Sequence, residues 1–156
     1  MKTYAAREGE LPIKLKLDRT FQPCSEAPGD ELYPNGTFVF NITRLLAFVE
    51  THPHAFPVGS VSLADIPDYG GAGRLDAEAI RNADLRRPIL LAEISPGHYN
   101  VIDGHHRIAR ARRERAGVLP AVRIRCPHHI VFLTSARAYK AYVEYWNSKC
   151  KDWTPS

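Results

Sequence analysis

The run Val101–Ala116, VIDGHHRIARARRERA, gathers most of the reactive residue types in the chain. A strand gives way to a helix at Asp103-Gly104. The first turn of a helix has backbone N–H groups without intrahelical partners, and these favour an anion. Gly104 lacks a Cβ, so the backbone can approach a phosphate closely. Arg107 lies within the first helical turn, and its planar fork suits phosphate or carboxylate. Arg110 falls on the same face at i+3. The phosphate-binding candidates are therefore Gly104, His106, Arg107 and Arg110. His105 and His106 can donate, accept or carry a proton near pH 7. Asp103 could hold a magnesium ion or orient a histidine, and could equally be a turn and capping residue. Asp103, His105 and His106 are the catalytic candidates, and Asp103 is the metal candidate. Five arginines and one glutamate lie between Arg107 and Arg115. Arg112, Arg113 and Arg115 suit either a nucleic-acid backbone or an ordinary solvated face.

The flanking pattern supplies elements to position this turn. Ile89–Ile94 reads as a strand, Ser95–Gly97 as a turn and Tyr99–Ile102 as a second strand, which makes a hairpin. A helix over His105–Ala116 follows, with Gly117 as its C-cap, and then a strand over Ala121–Arg125. Upstream, the apolar run Phe38–Phe40 precedes Asn41, which can cap a helix with Ile42, Leu45, Leu46 and Val49 on one side; Pro53 ends it. Val61–Ile66 reads as a short strand, Pro67–Arg74 as a flexible loop and Asp76–Ala83 as a helix. Ser135 can cap a last helix in which Tyr139, Tyr142, Val143 and Trp146 form one stripe. That stripe either packs on the sheet or serves a protein partner or self-association. Residues 1–36 read as an irregular arm or cover, with a short strand where Leu11, Ile13, Leu15 and Leu17 alternate with polar residues. Residues 37–156 read as one α/β domain.

Composition narrows the function classes. The chain has 156 residues, of which 44% are hydrophobic, enough for one domain with a real core. It contains no apolar run near the roughly 20 residues that cross a bilayer. The opening MKTYAAREGELPIKLKL lacks the apolar core of an export signal. Membrane insertion is not expected, and the cytoplasm is the expected location. The three cysteines, Cys24, Cys126 and Cys150, form no CxxC pair, which argues against a disulfide scaffold or a zinc knuckle. A net charge of +4 permits a polyanionic partner without requiring one.

Neither a Walker A loop nor a GxGxxG fingerprint is present. Linked features in a fixed order nevertheless resemble the ParB/sulfiredoxin superfamily: VSLADIP at Val61–Pro67, RRPILL at Arg86–Leu91, DGHHRIARA at Asp103–Ala111 and GVLPAVRI at Gly117–Ile124. The resemblance implies a small mixed sheet flanked by helices, with the 105–116 helix following a hairpin. It also implies a nucleotide pocket at the DGHHR turn, with ATP or CTP and Mg2+ as expected ligands and Gly104 and Arg107 carried over directly. Partition proteins usually have a glutamate and an arginine where this chain has His105 and His106, and they carry a helix-turn-helix region that this chain is too short to include. Sulfiredoxins keep their reactive cysteine where this chain has His105, which argues against their chemistry. Free-serine kinases use a similar DGHHR turn and need a separate carboxylate, for which Glu93 or Asp65 could be proposed. Small plasmid-encoded suppressors of DNA transfer form a further branch, associated with ATPase or nuclease activity. Three functions therefore stay open: a nucleotide-binding accessory factor acting on or near DNA, a nucleotide-dependent small-molecule kinase, and a non-enzymatic module that senses a nucleotide or blocks a partner.

Overall fold

The computed structural model describes residues 12–67 and 75–151. The first pair of strands, β1 (Leu32–Asn35) and β2 (Phe38–Asn41), forms an antiparallel hairpin around Gly36, whose φ of +63° suits glycine. The hairpin straddles residue 36, where the sequence reading divides arm from domain. Asn41 then caps α1 (Ile42–Thr51), its side chain accepting from Arg44 N. After β3 (Gly59–Ser62), the Ser62 side chain caps a 3-10 turn over Leu63–Asp65. The strand expected over Val61–Ile66 is thus shifted, and its second half is this turn. The loop expected at Pro67–Arg74 lies outside the described residues beyond Pro67. Asp76 caps α2 (Ala77–Asn82).

β4 (Ile89–Ser95) and β5 (His98–Asp103) make the expected hairpin, and α3 (His105–Arg113) leads on to β6 (Val118–Ile124). The four-stranded sheet has the order β3-β6-β4-β5. β4 and β6 are parallel, joined through β5 and α3, while the outer pairs are antiparallel. The protein is therefore a small mixed α/β fold, with a two-stranded and a four-stranded sheet flanked by helices.

Alternation along the strands sorts the core into two clusters. Leu90, Ala92, Ile94, Ile102, Val122 and Ile124 face α1, the β1–β2 hairpin and α4 (Ala136–Lys151). Ile89, Leu91, Val101, Leu119 and Ala121 face the other way, with Ile108 and Ala111 of α3. Complete burial of each Leu or Ile contributes about 1.5–3 kcal/mol, so these two clusters fix α3 and α4 on opposite faces of the sheet.

The helix expected to run to Ala116 ends at Arg113. Arg115, at φ +55°, is the left-handed residue; its N–H donates to Arg112 O, and that of Ala116 donates to Ala111 O. This pair of bonds is a Schellman ending. Gly117 is consequently not the cap; its carbonyl accepts from Leu63 N instead.

The arm lies along α4. Leu15 N donates to Asn147 Oδ1 and Asn147 Nδ2 donates to Leu15 O, at 2.7 and 2.9 Å. Trp146 Nε1 donates to Ile13 O, Tyr139 Oη accepts from Asp18 N, and the Phe21 ring stacks on Tyr139 at 4.1 Å. No strand forms over residues 12–17, because this backbone bonds to side chains of α4 rather than to a neighbouring strand; Leu11 lies outside the described residues. The arm and the sheet together bury Tyr139, Tyr142, Val143 and Trp146 to 7% exposure or less. The stripe is therefore part of the core, and its use as a partner or self-association surface is corrected. Cys24, Cys126 and Cys150 are free thiols.

Candidate functional site

β5 ends at Asp103, and Gly104 turns the chain into α3 with φ +109°. A Cβ at Gly104 would stand 2.5 Å from Ile89 Cγ2. Both the backbone angle and this contact with the start of β4 require glycine. The first intrahelical bond is from Ile108 N to Gly104 O, so the N–H groups of His105, His106 and Arg107 are the first-turn donors of α3. The expected geometry of a helix start behind a glycine turn is present.

The side chains around it divide into inward and outward groups. His105 is half-buried, stacks on Tyr33 at 5.3 Å and bonds to the Val101 backbone. Burial lowers its pKa, favouring the neutral ring. His106 is also half-buried. Arg107 is 9% exposed and its guanidinium is committed to protein oxygens. Nη1 donates to the carbonyls of Arg87 and Pro88, and Nη2 to Asp103 Oδ2 at 3.0 Å. Asp103 and Arg107 thus form a nearly buried ion pair that ties the end of β5 and the first turn of α3 to the segment before β4.

The arginines further along α3 follow the same pattern. Arg110 pairs with Glu114 at 2.9 Å and donates to Ala83 O at the end of α2. Arg112 donates to Ile66 O. Arg107, Arg110 and Arg112 each hold a carbonyl of a different surrounding segment. Arg113 and Arg115 are exposed, and neither forms an ion pair among the described residues.

The carboxylates considered as a base are placed elsewhere. Glu93 lies four residues along β4 from Ile89, about 13 Å from the Gly104 contact at strand rise. Its Oε1 accepts from Cys126 N and its Oε2 from Gly97 N. Asp65 is exposed in the 3-10 turn next to Ile66, which Arg112 reaches. No group of three or more His, Cys, Asp or Glu suited to a metal occurs among the described residues. Among the described residues Asp103 is the one carboxylate at the turn, and one of its oxygens is engaged by Arg107.

Two features lie beyond the motif. Tyr33 comes from the distant β1 and packs on His105; no local pattern pairs these residues. The second is a buried polar cluster on the other face. His129 is fully buried, its Nε2 donating to Glu93 O at 2.6 Å, and Tyr142 Oη donates to the same carbonyl at 2.8 Å. Burial holds the His129 pKa down at about 4, and its Nδ1 has no hydrogen-bond partner. Among the described residues, no helix is long and apolar enough to cross a membrane. No protein-family model matches the chain, and neither a curated protein nor a solved structure matches it.

Proposed function

We propose that the β5–α3 turn binds the phosphate of a nucleotide, as a module of the ParB/sulfiredoxin type acting on or near DNA. The observation that carries this is Gly104: at φ +109° and packed on Ile89, it brings backbone without a side chain to the first turn of a nine-residue helix. The N–H groups of His105, His106 and Arg107 then offer donors to an anion, aided by the positive end of the helix dipole. The order hairpin, glycine turn, helix, parallel strand supports the superfamily reading.

Each residue has a distinct part in this proposal. His106 contacts the phosphate and is the group placed to move a proton. Arg107 is a positioning residue, holding Asp103 and the turn through their ion pair. His105 packs the turn against Tyr33. ATP or CTP is the expected nucleotide. A magnesium ion would supply charge neutralisation between phosphate oxygens, and a single carboxylate is an acceptable protein share for such an ion; Asp103 would provide it. This inventory favours binding and sensing over turnover, because Glu93 stands at the far end of β4.

The test is calorimetric titration of ATP and CTP, with and without magnesium, into wild type and His106→Ala, followed by product analysis. The expected result is saturable binding that His106→Ala weakens about tenfold, as for loss of one charge-assisted contact. Absence of binding by both nucleotides would overturn the proposal. A second reading, DNA contact, is favoured by the exposure of Arg113 and Arg115 at the other end of α3. Each phosphate contact adds about 0.9 to the slope of log affinity against log salt, so Arg113→Ala with Arg115→Ala should flatten that slope by about two.

A further inference from the structure

We propose that the cleft between the β4–β5 hairpin and the C-terminal half of α4 is a second anion site, for a small molecule carrying one carboxylate or phosphate group on a short apolar body. The cleft has a volume of about 350 Å3 and is lined by Ile94, Ser95, His98, Asn100, Tyr145 and Lys149. It lies on the α4 face of the sheet, because Ile94 belongs to the α4-facing cluster while α3 packs on the opposite one. The site is therefore distinct from the Gly104 turn.

The lining determines the ligand chemistry. His98 and Lys149 are the basic side chains of the cleft, and among the described residues no carboxylate lines it. Lys149 forms no ion pair among the described residues; its ammonium instead sits 5.5 Å over the Tyr145 ring. That contact places the charge of this exposed side chain at the wall of the cleft. A concave surface carrying one sign of charge focuses its field on a counter-ion. Asn100 and Ser95 add hydrogen-bonding groups, which fix orientation more than they add affinity. Ile94 is buried at 6% exposure and Tyr145 is 39% exposed, so the two offer an apolar floor and wall for the body of the ligand. The volume is near the lower bound for small-molecule pockets, about 300–1,000 Å3, and it matches one ring with its acidic group.

The experiment uses the full chain, 15N-labelled, with phenyl phosphate, benzoate and the neutral benzyl alcohol as probes. The proposal expects saturable amide shifts at Ser95, His98, Asn100 and Tyr145 with at least one acid, at a dissociation constant on the order of 1 mM or tighter, and none with benzyl alcohol. Which acid binds distinguishes phosphate from carboxylate as the physiological group. Lys149→Ala and His98→Ala change exposed residues and should fold normally, each weakening the acid by two- to fivefold, the range for solvent-exposed charge pairs. His106→Ala should leave this binding unchanged, which separates it from the nucleotide reading. Equal binding of the neutral probe, shifts confined to the β5–α3 turn, no shifts at all, or an unaltered affinity when Lys149→Ala and His98→Ala are combined would each overturn the proposal.

Discussion

Replacing Arg107 by alanine removes three hydrogen bonds at once: two to the carbonyls of Arg87 and Pro88, and one to Asp103 Oδ2. The side chains of the pair are 11% and 16% exposed, so water cannot fully replace the lost partner. Breaking a buried pair from one side costs about 3–5 kcal/mol, because the remaining charge stays in a poor solvent. A domain of this size is stable by about 5–15 kcal/mol in total. Arg107→Ala therefore removes a large fraction of the stability before any ligand is considered. Arg107→Lys keeps the charge but loses the planar fork, and should cost about half as much. The assay is urea unfolding followed by far-UV circular dichroism, with Asp103→Asn and the double variant completing a cycle. The coupling between the two positions should exceed about 1 kcal/mol. If Arg107→Ala loses less than about 1 kcal/mol with an unchanged urea slope, then Arg107 does not clamp the turn, and its fork is available for a ligand after all. The prediction also bears on binding studies: loss of nucleotide affinity in Arg107→Ala would mix folding with recognition, which is why His106→Ala is the cleaner probe.

Acid should weaken the fold through His129. Its folded pKa of about 4 lies below the ordinary histidine value near 6.5, so the unfolded chain binds more protons between these values; the contribution is complete above about pH 6.5 and falls as pH drops towards 4. At pH 4.5 the loss is about 2.5 kcal/mol relative to neutral pH, and the difference between wild type and His129→Gln in urea midpoint across that range measures it; parallel curves would count against the assignment. Gly104→Ala should destabilise by about 2–4 kcal/mol, since the Cβ meets Ile89 Cγ2 at 2.5 Å and φ is +109°; a thermal melt within 1 °C of wild type would contradict this. Asn41→Ala should cost about 2 kcal/mol, because the buried side chain caps α1 and also donates to Asp30 and Ser25 O; chemical unfolding reads this directly. Glu93→Gln should lower stability while leaving nucleotide affinity unchanged, as its carboxylate serves Cys126 N and Gly97 N far from Gly104; a selective loss of binding or turnover would restore it as a catalytic base.

Much of the local structure was legible along the chain. The β4–β5 hairpin, the Asn41 cap, the glycine turn and the start of α3 follow from alternation, capping chemistry and glycine, all of which act over a few residues. Boundaries were less legible. Arg115 ends α3 in a left-handed conformation that glycine normally takes, and its neighbour Gly117 therefore misleads. The strand expected near Ile13–Leu17 failed because alternation does not reveal where the backbone bonds go, and here they go to side chains of α4.

By itself, the sequence determined that Gly104 and the two histidines stand at a strand-to-helix turn and that a dense arginine run follows. Only the tertiary structure decided what those side chains do. Arg107, Arg110 and Arg112 are held by carbonyls of segments distant in sequence, and the Tyr139–Trp146 stripe is covered by the arm and the sheet. The physical reason is range. A backbone angle or a helix cap is set within a few residues, whereas the partner of a long cationic side chain, and the surface that buries an aromatic one, are fixed when the whole chain packs.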